Sequence, residues 1–462
     1  MRNPHHFRNT LIVLLQITVV AAFLVYGYIF TNKFITGKVN AFLSLPLPVE
    51  IPQINFKLKN LWDKRAELIN NRESFLEINL KEMVVRLYKD GNPIKEYSIR
   101  VKGKENDWGE TPSGFFAIKG RETSHFSSLG SVFMPYSLRF QGNYYVHGLP
   151  YYSDGSLTGA DFSSGCVNLS TEDAKELFSL VPLNFPVLVL ENDYQNPATE
   201  IKNITLTPPN LKAQSYLVAD LDNSQIFMIK DPQTIYPVIG INKLLTGISA
   251  SELLRLSFDS NLIDKLYINA KMLLPPGETA GLTLGKRFSF FDLYYPLLVE
   301  HSNDASEALA LRLSRNYMGI IKERANSLGM SNTTLADSYG GEQGNFSTSE
   351  DLFYLLRYLF NNRLWMLNIS KGKIYNDFGS SQFTNLENKN LFSDDPNFIG
   401  GLTEMNSSAP LTTSSSSLST SVFVFKTNLK GTERYVGIVL IGSPRVEEDV
   451  QTIRNYLGAI GA

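Results

Sequence analysis

The segment from Leu11 to Phe30 constrains this chain more than any other feature, because its twenty residues carry no charged side chain. An α-helix rises about 1.5 Å per residue, so the segment is long enough to cross a hydrocarbon core of about 30 Å. Arg2 and Arg8 precede it, which predicts that residues 1–10 form a cytoplasmic tail. The sequence therefore predicts a transmembrane helix over residues 11–30, with the rest of the chain outside the cytoplasm.

A cleaved signal peptide is the alternative interpretation of the same segment. Signal peptides usually have a shorter apolar region that ends at a small-x-small cleavage site. This segment ends instead in the bulky residues VYGYIF, which favours an uncleaved anchor. Under both interpretations, the chain after about residue 31 lies in a non-cytoplasmic compartment.

Cys166 is the only cysteine in the 462 residues. Proteins outside the cytoplasm tend to use cysteine in disulfide pairs, and one cysteine cannot form an internal disulfide. Cys166 is therefore a free thiol, an intermolecular one, or a small buried hydrophobic side chain. The hydrophobic fraction of 43% and the net charge of −2 are those of an ordinary globular protein, and neither indicates nucleic-acid binding.

Hydrophobic patterning predicts a stalk followed by a first domain. Residues 31–73 combine proline-spaced extended sequence with a short helical pattern, and we interpret them as a stalk. Residues 74–191 alternate short apolar runs with turns such as Asp90-Gly91, which predicts a mostly-β domain. A capped helix over 171–180 and a buried strand over 185–190 are expected near its end.

A second domain is predicted over residues 214–462, after a polar, proline-containing linker at 192–213. The domain begins and ends with hairpin patterns and has helical patterns between them, which is typical of an α+β fold. Its helices are expected at about 249–257, 305–316, 319–328 and 349–361, the last with Ser347 as its N-cap.

His147 and Cys166 have the relationship that nucleophilic cysteine chemistry needs. A cysteine nucleophile requires a nearby base or cation to raise its thiolate fraction. His147 ends a strand pattern, and a loop leads from it to a tight turn at Gly165 and Cys166. Gly165 lets the backbone approach a substrate closely. We expect the backbone N–H groups of Gly165 and Cys166 to face the oxyanion of a tetrahedral intermediate.

The stretch from His147 to Asn168 resembles the catalytic signature of the bacterial L,D-transpeptidases. That signature is a histidine, a loop, and then Ser/Thr-His-Gly-Cys-hydrophobic-Asn, and it matches His147, Ser163, Gly165, Cys166, Val167 and Asn168. The Thr-Pro-x-Gly-x-Phe segment of this family is also present, over residues 111–116. One position departs, because Ser164 replaces the second histidine. We expect this change to alter substrate fit, or alternatively to mark a decayed site.

The resemblance implies a peptidoglycan acyl transfer that needs no cofactor. Cys166 attacks the amide between the third stem residue and the D-Ala at position four of a tetrapeptide stem. His147 takes the thiol proton and returns it to the departing D-Ala, while the Gly148 carbonyl orients the imidazole. A side-chain amine of a neighbouring stem resolves the thioester into a 3→3 cross-link. Water or a protein amine is the alternative acceptor.

Other side chains near the signature have two interpretations each. Asn168 either binds the donor backbone or bonds within its own loop, and Tyr145 is either a pocket wall or part of the core. His125 lies in a polar loop and is expected to be a surface residue. No third Cys or His accompanies His147 and Cys166, so we predict no metal site.

The region from residue 214 resembles the serine D-alanyl-D-alanine carboxypeptidases of the penicillin-binding superfamily, which implies a β-lactamase/transpeptidase-like fold. The stretches that carry the likeness are YPVIGINKLLTG, HSNDASEALA, LGMSNTTLADSYGG and IGGLTEM. The family mechanism needs a Ser-x-x-Lys pair, yet Gly240 stands three residues before Lys243. The other replaced positions are His301 for the serine of Ser-x-Asn, beside a retained Asn303, and Thr403 for the lysine of Lys-Thr-Gly.

Three losses in one site predict that the second domain has no catalytic activity. Lys243 is then a helix lysine and His301 a loop residue. The domain is expected to bind a stem peptide or a cell-wall protein, or to act as a spacer. The leading interpretation is a single-pass protein of the bacterial cytoplasmic membrane that cross-links stem peptides outside it. A non-catalytic peptidoglycan-binding scaffold is the alternative.

Overall fold

The computed structural model describes residues 56–159, 163–190, 206–254, 265–277, 280–375, 382–383, 385–405 and 419–461. The predicted cytoplasmic tail and transmembrane helix lie outside these residues, as does most of the predicted linker. Within the described part of the chain, no helix is both long and apolar enough to cross a membrane.

The first domain is rich in β-structure, as predicted. Its strands are β1 (Phe75–Asn79), β2 (Val84–Lys89), β3 (Asn92–Ser98), β4 (Gly114–Ala117), β5 (Gly120–Ser127), β6 (Val132–Gln141), β7 (Tyr144–His147), β8 (Val167–Asn168) and β9 (Pro186–Leu190). They form one sheet in the order β3-β2-β1-β9-β4 and another in the order β5-β6-β7-β8. The hairpin predicted at Asp90-Gly91 joins β2 to β3, with positive φ at both turn residues.

Two helices pack on this domain, α1 (Leu61–Asn70) and α2 (Thr171–Leu180). The bounds of α2 are those predicted, and its N-cap Ser170 accepts a hydrogen bond from the backbone of Asp173. The stalk interpretation is wrong from residue 58 onward. Leu68 of α1 is buried against the domain core, and Arg65 is paired with the buried Glu77 at 2.6 Å. A helix with an apolar face needs such cover.

The second domain is α+β. Its strands are β10 (Ser215–Asp220), β11 (Ile226–Lys230), β12 (Tyr236–Pro237), β13 (Lys265–Tyr267), β14 (Arg287–Ser289), β15 (Phe346–Ser347), β16 (Phe398–Met405), β17 (Ser419–Leu429) and β18 (Thr432–Ile441). Its helices are α3 (Asn242–Leu253), α4 (Tyr294–Leu298), α5 (Asn303–Leu313), α6 (Tyr317–Ser327), α7 (Ser349–Asn362), α8 (Leu364–Ser370) and α9 (Val446–Gly461), with a 3₁₀ turn at Ala270–Leu273. The main sheet has the order β11-β10-β18-β17-β16.

One helix prediction in this domain is wrong at its start, and another starts at the predicted residue but has a different N-cap. The helix expected at 249–257 is α3, which begins at Asn242 and is buried along most of its length, so no polar face marks its start. The N-cap of α7 is Thr348 rather than Ser347. Ser347 instead belongs to β15, where its backbone pairs with Tyr236.

The two domains meet in a buried interface within a single unit that extends from residue 58 to 462. Glu252 lies at its centre, 2.8 Å from Arg324 and 3.4 Å from Arg363, and all three side chains are fully buried. Burial alone raises the pKa of the Glu252 carboxyl, but the two guanidinium groups offset this and hold its pKa below the usual range. Gln141 of the first domain also donates to Glu252, at 2.9 Å.

Candidate active site

The pairing of β7 with β8 places His147 and Cys166 on one face of the sheet. The two strands are parallel neighbours, and their register places His147 opposite Asn168. Side chains alternate between the two faces of a strand. Tyr145 stands two positions before His147, and Cys166 stands two positions before Asn168, so all four side chains lie on the same face of the sheet. Tyr145 and Cys166 indeed share a small buried cluster with Met134. The long sequence separation between the histidine and the cysteine is thus removed by strand pairing.

This face opens on a cleft of about 430 Å³. Its lining includes five of the predicted site residues: Tyr145, His147, Ser164, Cys166 and Asn168. Cys166 is 5% exposed and His147 is 2% exposed, so the sulfur and the imidazole are largely shielded from bulk water. Across the described residues, no cluster of His, Cys, Asp and Glu could hold a metal ion.

A backbone carbonyl fixes the protonation pattern of His147. Its Nδ1 lies 2.6 Å from the Gly148 carbonyl oxygen. A carbonyl oxygen only accepts, so Nδ1 carries the hydrogen, and Nε2 is the ring nitrogen that can take up a proton. The neutral tautomer is therefore the one that a general base requires.

The turn that precedes the thiol is held by hydrogen bonds among its own residues. Ser163 Oγ donates to the Cys166 carbonyl and accepts the backbone N–H of Gly165 at 3.0 Å. The expectation that the Gly165 N–H faces an oxyanion is wrong for this geometry, because that donor is used inside the turn. The thiol itself points toward Asn143, with Sγ 3.8 Å from its carbonyl oxygen.

Asn168 presents an unsatisfied atom at the cleft. Its side chain is 5% exposed, and its Oδ1 has no hydrogen-bond partner among the described residues. Its backbone groups are used elsewhere, in bonds with Arg100 and Val101. Most buried polar atoms have a hydrogen-bond partner. Asn168 Oδ1 is therefore available to a donor group that enters the cleft.

His125 is a residue that the sequence reasoning placed wrongly. It lies in β5 rather than in a polar loop, and it lines the same cleft as the thiol. Its ring stacks on Tyr145 at 4.6 Å, and its Nδ1 is 2.9 Å from Glu122 Oε1. Tyr145 is accordingly both a wall of the cleft and part of the packing. His125 reaches the cleft because β5 pairs with β6, and the polar sequence of β5 gives little sign of this pairing.

The second candidate site is filled by a side chain of the chain itself. Gly240 has φ +70°, and a Cβ atom built on it would lie 1.8 Å from Glu404 Cγ. Glu404 therefore occupies the space that a serine at position 240 would need. Its carboxylate is 2.5 Å from Lys243 Nζ, and Lys243 is buried. The interpretation of Lys243 as an ordinary helix lysine is wrong, because it belongs to a buried ion pair.

The other motif residues of the second domain either form hydrogen bonds within that domain or are buried in it. His301 is buried, with positive φ, and its Nε2 is 3.1 Å from Asn390 Oδ1. Burial lowers its pKa, and the nearby Glu404 offsets only part of this effect. Asn303 donates to the Pro276 carbonyl at 2.6 Å. Thr403 is buried opposite Ser421 in the main sheet, and its Oγ1 has no hydrogen-bond partner among the described residues.

Comparison with known families gives one match for each domain. Residues 73–189 match the family model of the L,D-transpeptidase catalytic domain. Residues 202–417 match the family model of D-alanyl-D-alanine carboxypeptidase. The two matches follow one another along the chain, as the two sites do.

Relatives with known names match parts of the chain. It is 28% identical to the D-alanyl-D-alanine endopeptidase of Escherichia coli over 155 residues, which is 33% of this chain and 49% of that protein. It is 30% identical to the YkuD protein of Bacillus licheniformis over 107 residues, 23% of this chain and 59% of that protein. The chain thus spans about half the length of the curated relatives it matches.

Solved structures similar to the chain include penicillin-binding proteins. A D-alanyl-D-alanine carboxypeptidase of Mycobacterium tuberculosis is 20% identical, with a TM-score of 0.45, and the match covers 56% of this chain and 96% of that one. Penicillin-binding protein 6B of Escherichia coli is also 20% identical, with a TM-score of 0.46, over 56% of this chain and 80% of that one.

Proposed function

Because this chain carries an L,D-transpeptidase catalytic domain followed by a D-alanyl-D-alanine carboxypeptidase domain, we propose that it cross-links peptidoglycan stems through Cys166. The donor is a tetrapeptide stem, and D-Ala is the leaving group. The acceptor is the side-chain amine of a neighbouring stem, and the product is a 3→3 cross-link. The observation that carries the proposal is that Cys166, His147 and Asn168 line one cleft, and that Asn168 Oδ1 has no partner among the described residues.

The acylation step follows from the two buried groups. His147 Nε2 takes the proton of the Cys166 thiol, and the sulfur attacks the carbonyl carbon of the third stem residue. The C–N bond to D-Ala breaks, and the same imidazole returns the proton to the departing amine. The hydrogen bond from Nδ1 to the Gly148 carbonyl supports this role, since it holds the ring in the tautomer with a basic Nε2.

The second half-reaction reverses these roles. The acceptor amine attacks the thioester, its proton passes to His147, and the sulfur leaves as the thiolate. Asn168 Oδ1 is positioned to accept an N–H of the donor backbone, which would give this atom the partner it lacks. The donor is thereby oriented while two successive attacks occur at one carbon.

The proposal assigns no catalysis to the second domain. A serine hydroxyl is missing at position 240, and Glu404 fills the adjoining space. Lys243, which would assist a serine, is instead held by the Glu404 carboxylate at 2.5 Å. These contacts support a carboxypeptidase fold without carboxypeptidase chemistry.

We also propose that both domains lie on the outer face of the bacterial cytoplasmic membrane, anchored by residues 11–30. The support is the sequence alone, namely an uncharged twenty-residue segment preceded by Arg2 and Arg8. Protease treatment of intact spheroplasts tests this placement. Loss of both domains is expected, and their full protection would contradict it.

The test of the enzyme is product analysis with the full-length chain and purified tetrapeptide stems. We expect release of free D-Ala and a 3→3 linked dimer, both abolished in Cys166→Ala and retained in Lys119→Ala, a surface control. D-Ala without dimer would identify water as the acceptor and overturn the transpeptidase assignment. Stem attached to an added protein would make a protein amine the acceptor. No D-Ala at all would favour the non-catalytic scaffold.

A further inference from the structure

The segment over residues 103–111 lies directly against the turn that carries the thiol. A Cβ atom built on Gly103 would lie 2.8 Å from Gly165 Cα, and one built on Gly109 would lie 3.2 Å from Ser164 Cα. Backbone therefore packs on backbone, with no room for side chains between them. A displacement of this segment must displace the residues that immediately precede Cys166.

Gly165 is held from two sides by the first domain. It has φ +108°, and a Cβ atom there would lie 2.2 Å from the Tyr144 ring and 2.6 Å from the Gly109 carbonyl oxygen. Thr111 Oγ1 donates to the Gly165 carbonyl at 2.9 Å. The direction in which Cys166 leaves the turn is thus set by Tyr144, Gly109 and Thr111.

The same segment is fixed at its other side by the second domain. Trp108 is buried, and its ring stacks on Trp365 at 4.7 Å. It also meets Tyr294 edge-on at 5.2 Å and Phe291 at 5.4 Å. All three aromatic partners belong to the second domain, so the ring of Trp108 is enclosed by that domain. Such aromatic contacts fix geometry as well as burying area.

Polar contacts reinforce the attachment. Asn362 donates to the Thr111 carbonyl at 3.3 Å, and Arg363 donates to the Glu110 carbonyl at 3.4 Å. Arg363 is fully buried and pairs with Glu252 of its own domain. The chain from residue 108 to 111 therefore bonds to the second domain on one side and to the thiol turn on the other.

A second connection reaches the thiol from a different direction. The Asn143 side chain donates to the Leu253 carbonyl, at the end of α3, at 3.1 Å. The backbone carbonyl of the same asparagine lies 3.8 Å from Cys166 Sγ. One residue thus contacts both the second domain and the sulfur.

From these two connections we infer that the second domain positions the Cys166 thiol, and that Trp108 and Asn143 are the positioning residues that transmit this effect. The inference rests on the proposed function, because it assigns the catalytically inactive domain a part in the same acyl transfer. Misplacement of a reacting atom by about 1 Å can lower a rate about 100-fold. The filled site around Glu404 is compatible with this part, since positioning needs a rigid domain rather than an open groove.

The test compares steady-state kinetics of full-length variants on tetrapeptide stems. Trp108→Ala should lower kcat about 10-fold or more, with KM changed less than about 2-fold, because the thiol turn moves while the rest of the cleft stays in place. Trp108→Phe keeps an aromatic ring and should recover most of the rate. Lys119→Ala removes an exposed ion pair with Glu323 on the same domain interface and should leave kcat and KM unchanged.

Alkylation of Cys166 by iodoacetamide gives a readout that does not depend on substrate. It should slow in Trp108→Ala when it is measured well below the lowered Tm of that variant. If Trp108→Ala does not fold, the same measurements on Asn143→Ala test the inference. Asn143 is exposed, and this substitution removes only its side-chain hydrogen bond to Leu253. A folded variant of either kind with wild-type kcat would overturn the inference. Inactivity of the wild-type chain would instead overturn the proposed function, so the two failures are distinguishable.

Discussion

The cleft around Cys166 and the filled site around Gly240 differ in where their polar groups find partners. In the first site, Asn168 Oδ1 is buried without a partner among the described residues, at the edge of an open cleft. In the second site, Lys243 is paired with Glu404 and His301 bonds to Asn390, although Thr403 Oγ1 also lacks a partner among the described residues. The two sites therefore differ most clearly in the lysine and the histidine of the second site, which are used inside the chain rather than left available to a ligand.

The burial of Lys243 explains why Glu404 fills the second site. A lysine as deeply buried as Lys243 is costly to keep charged unless an opposite charge accompanies it. The loss of a side chain at position 240 leaves space beside it, and Glu404 enters that space with the required charge. Gly240 and Glu404 therefore depend on each other, and we expect a substitution of either residue alone to destabilise the domain.

The largest effect should come from replacing one histidine in each of the two sites. His147→Ala removes the proposed base of the first site and should lower the rate of D-Ala release about 10²- to 10⁴-fold. His301→Gln, the matched change in the second site, should leave that rate unchanged. Steady-state assays with tetrapeptide stems measure both. A loss of rate in His301→Gln at an unchanged Tm would show that the second site takes part.

Restoring a serine to the second site should destabilise it without reviving it. Gly240→Ser places a side chain on a residue at positive φ and displaces Glu404, so we expect a loss of about 2–4 kcal/mol in the free energy of unfolding. Adding Glu404→Gly should cost less than the sum of the two single changes, because the overlap disappears. Urea denaturation measures these values. Strict additivity, or hydrolysis of a D-Ala-D-Ala peptide by Gly240→Ser alone, would contradict the filled-site account.

A smaller effect is expected at the unpartnered oxygen of the first site. Asn168→Ala should raise KM for the stem donor about 5- to 30-fold, the value of roughly one buried hydrogen bond. Asn455→Ala, on the exposed face of α9, is the matched control and should behave as wild type. Initial-rate measurements at varied donor concentration separate KM from kcat. An unchanged KM would contradict substrate binding by Asn168 and would support a structural role within its own loop.

The smallest effect concerns pH. The pKa of His301 in the folded chain is below its ordinary value of 6.5, chiefly because of burial. The unfolded chain therefore binds a proton that the folded chain does not, and stability falls as pH drops below about 6.5. His301→Gln should weaken this fall, so the two Tm curves converge toward acid pH. Parallel curves between about pH 7.5 and pH 5.5 would contradict the burial of a neutral imidazole.

The parts of the first site that sequence reasoning found are those fixed by local patterns. His147 ends a strand and Cys166 follows a glycine turn, so two motifs in chain order were enough to indicate the pair. The α2 cap and the Asp90-Gly91 hairpin are local in the same sense. His125 was missed because its place depends on which strand β5 pairs with, and a polar sequence gives little sign of that.

The contacts that sequence reasoning could not supply join residues far apart in the chain. Glu404 reads as a surface glutamate in IGGLTEM, and only the fold brings it onto Gly240 and Lys243. Glu252 and Arg363 likewise look like solvated charges, yet they are fully buried between the domains. The stalk interpretation failed from residue 58 onward for the same reason, since the docking surface for α1 is formed by later strands.

The most direct test of the central claim is to map where a carbapenem acylates the full-length chain. The account predicts a single covalent adduct by intact mass, located on the Cys166 peptide, absent in Cys166→Ala and strongly slowed in His147→Ala. An adduct on any serine of the second domain, or an adduct that persists in Cys166→Ala, would contradict the division of this chain into one reactive site and one filled site.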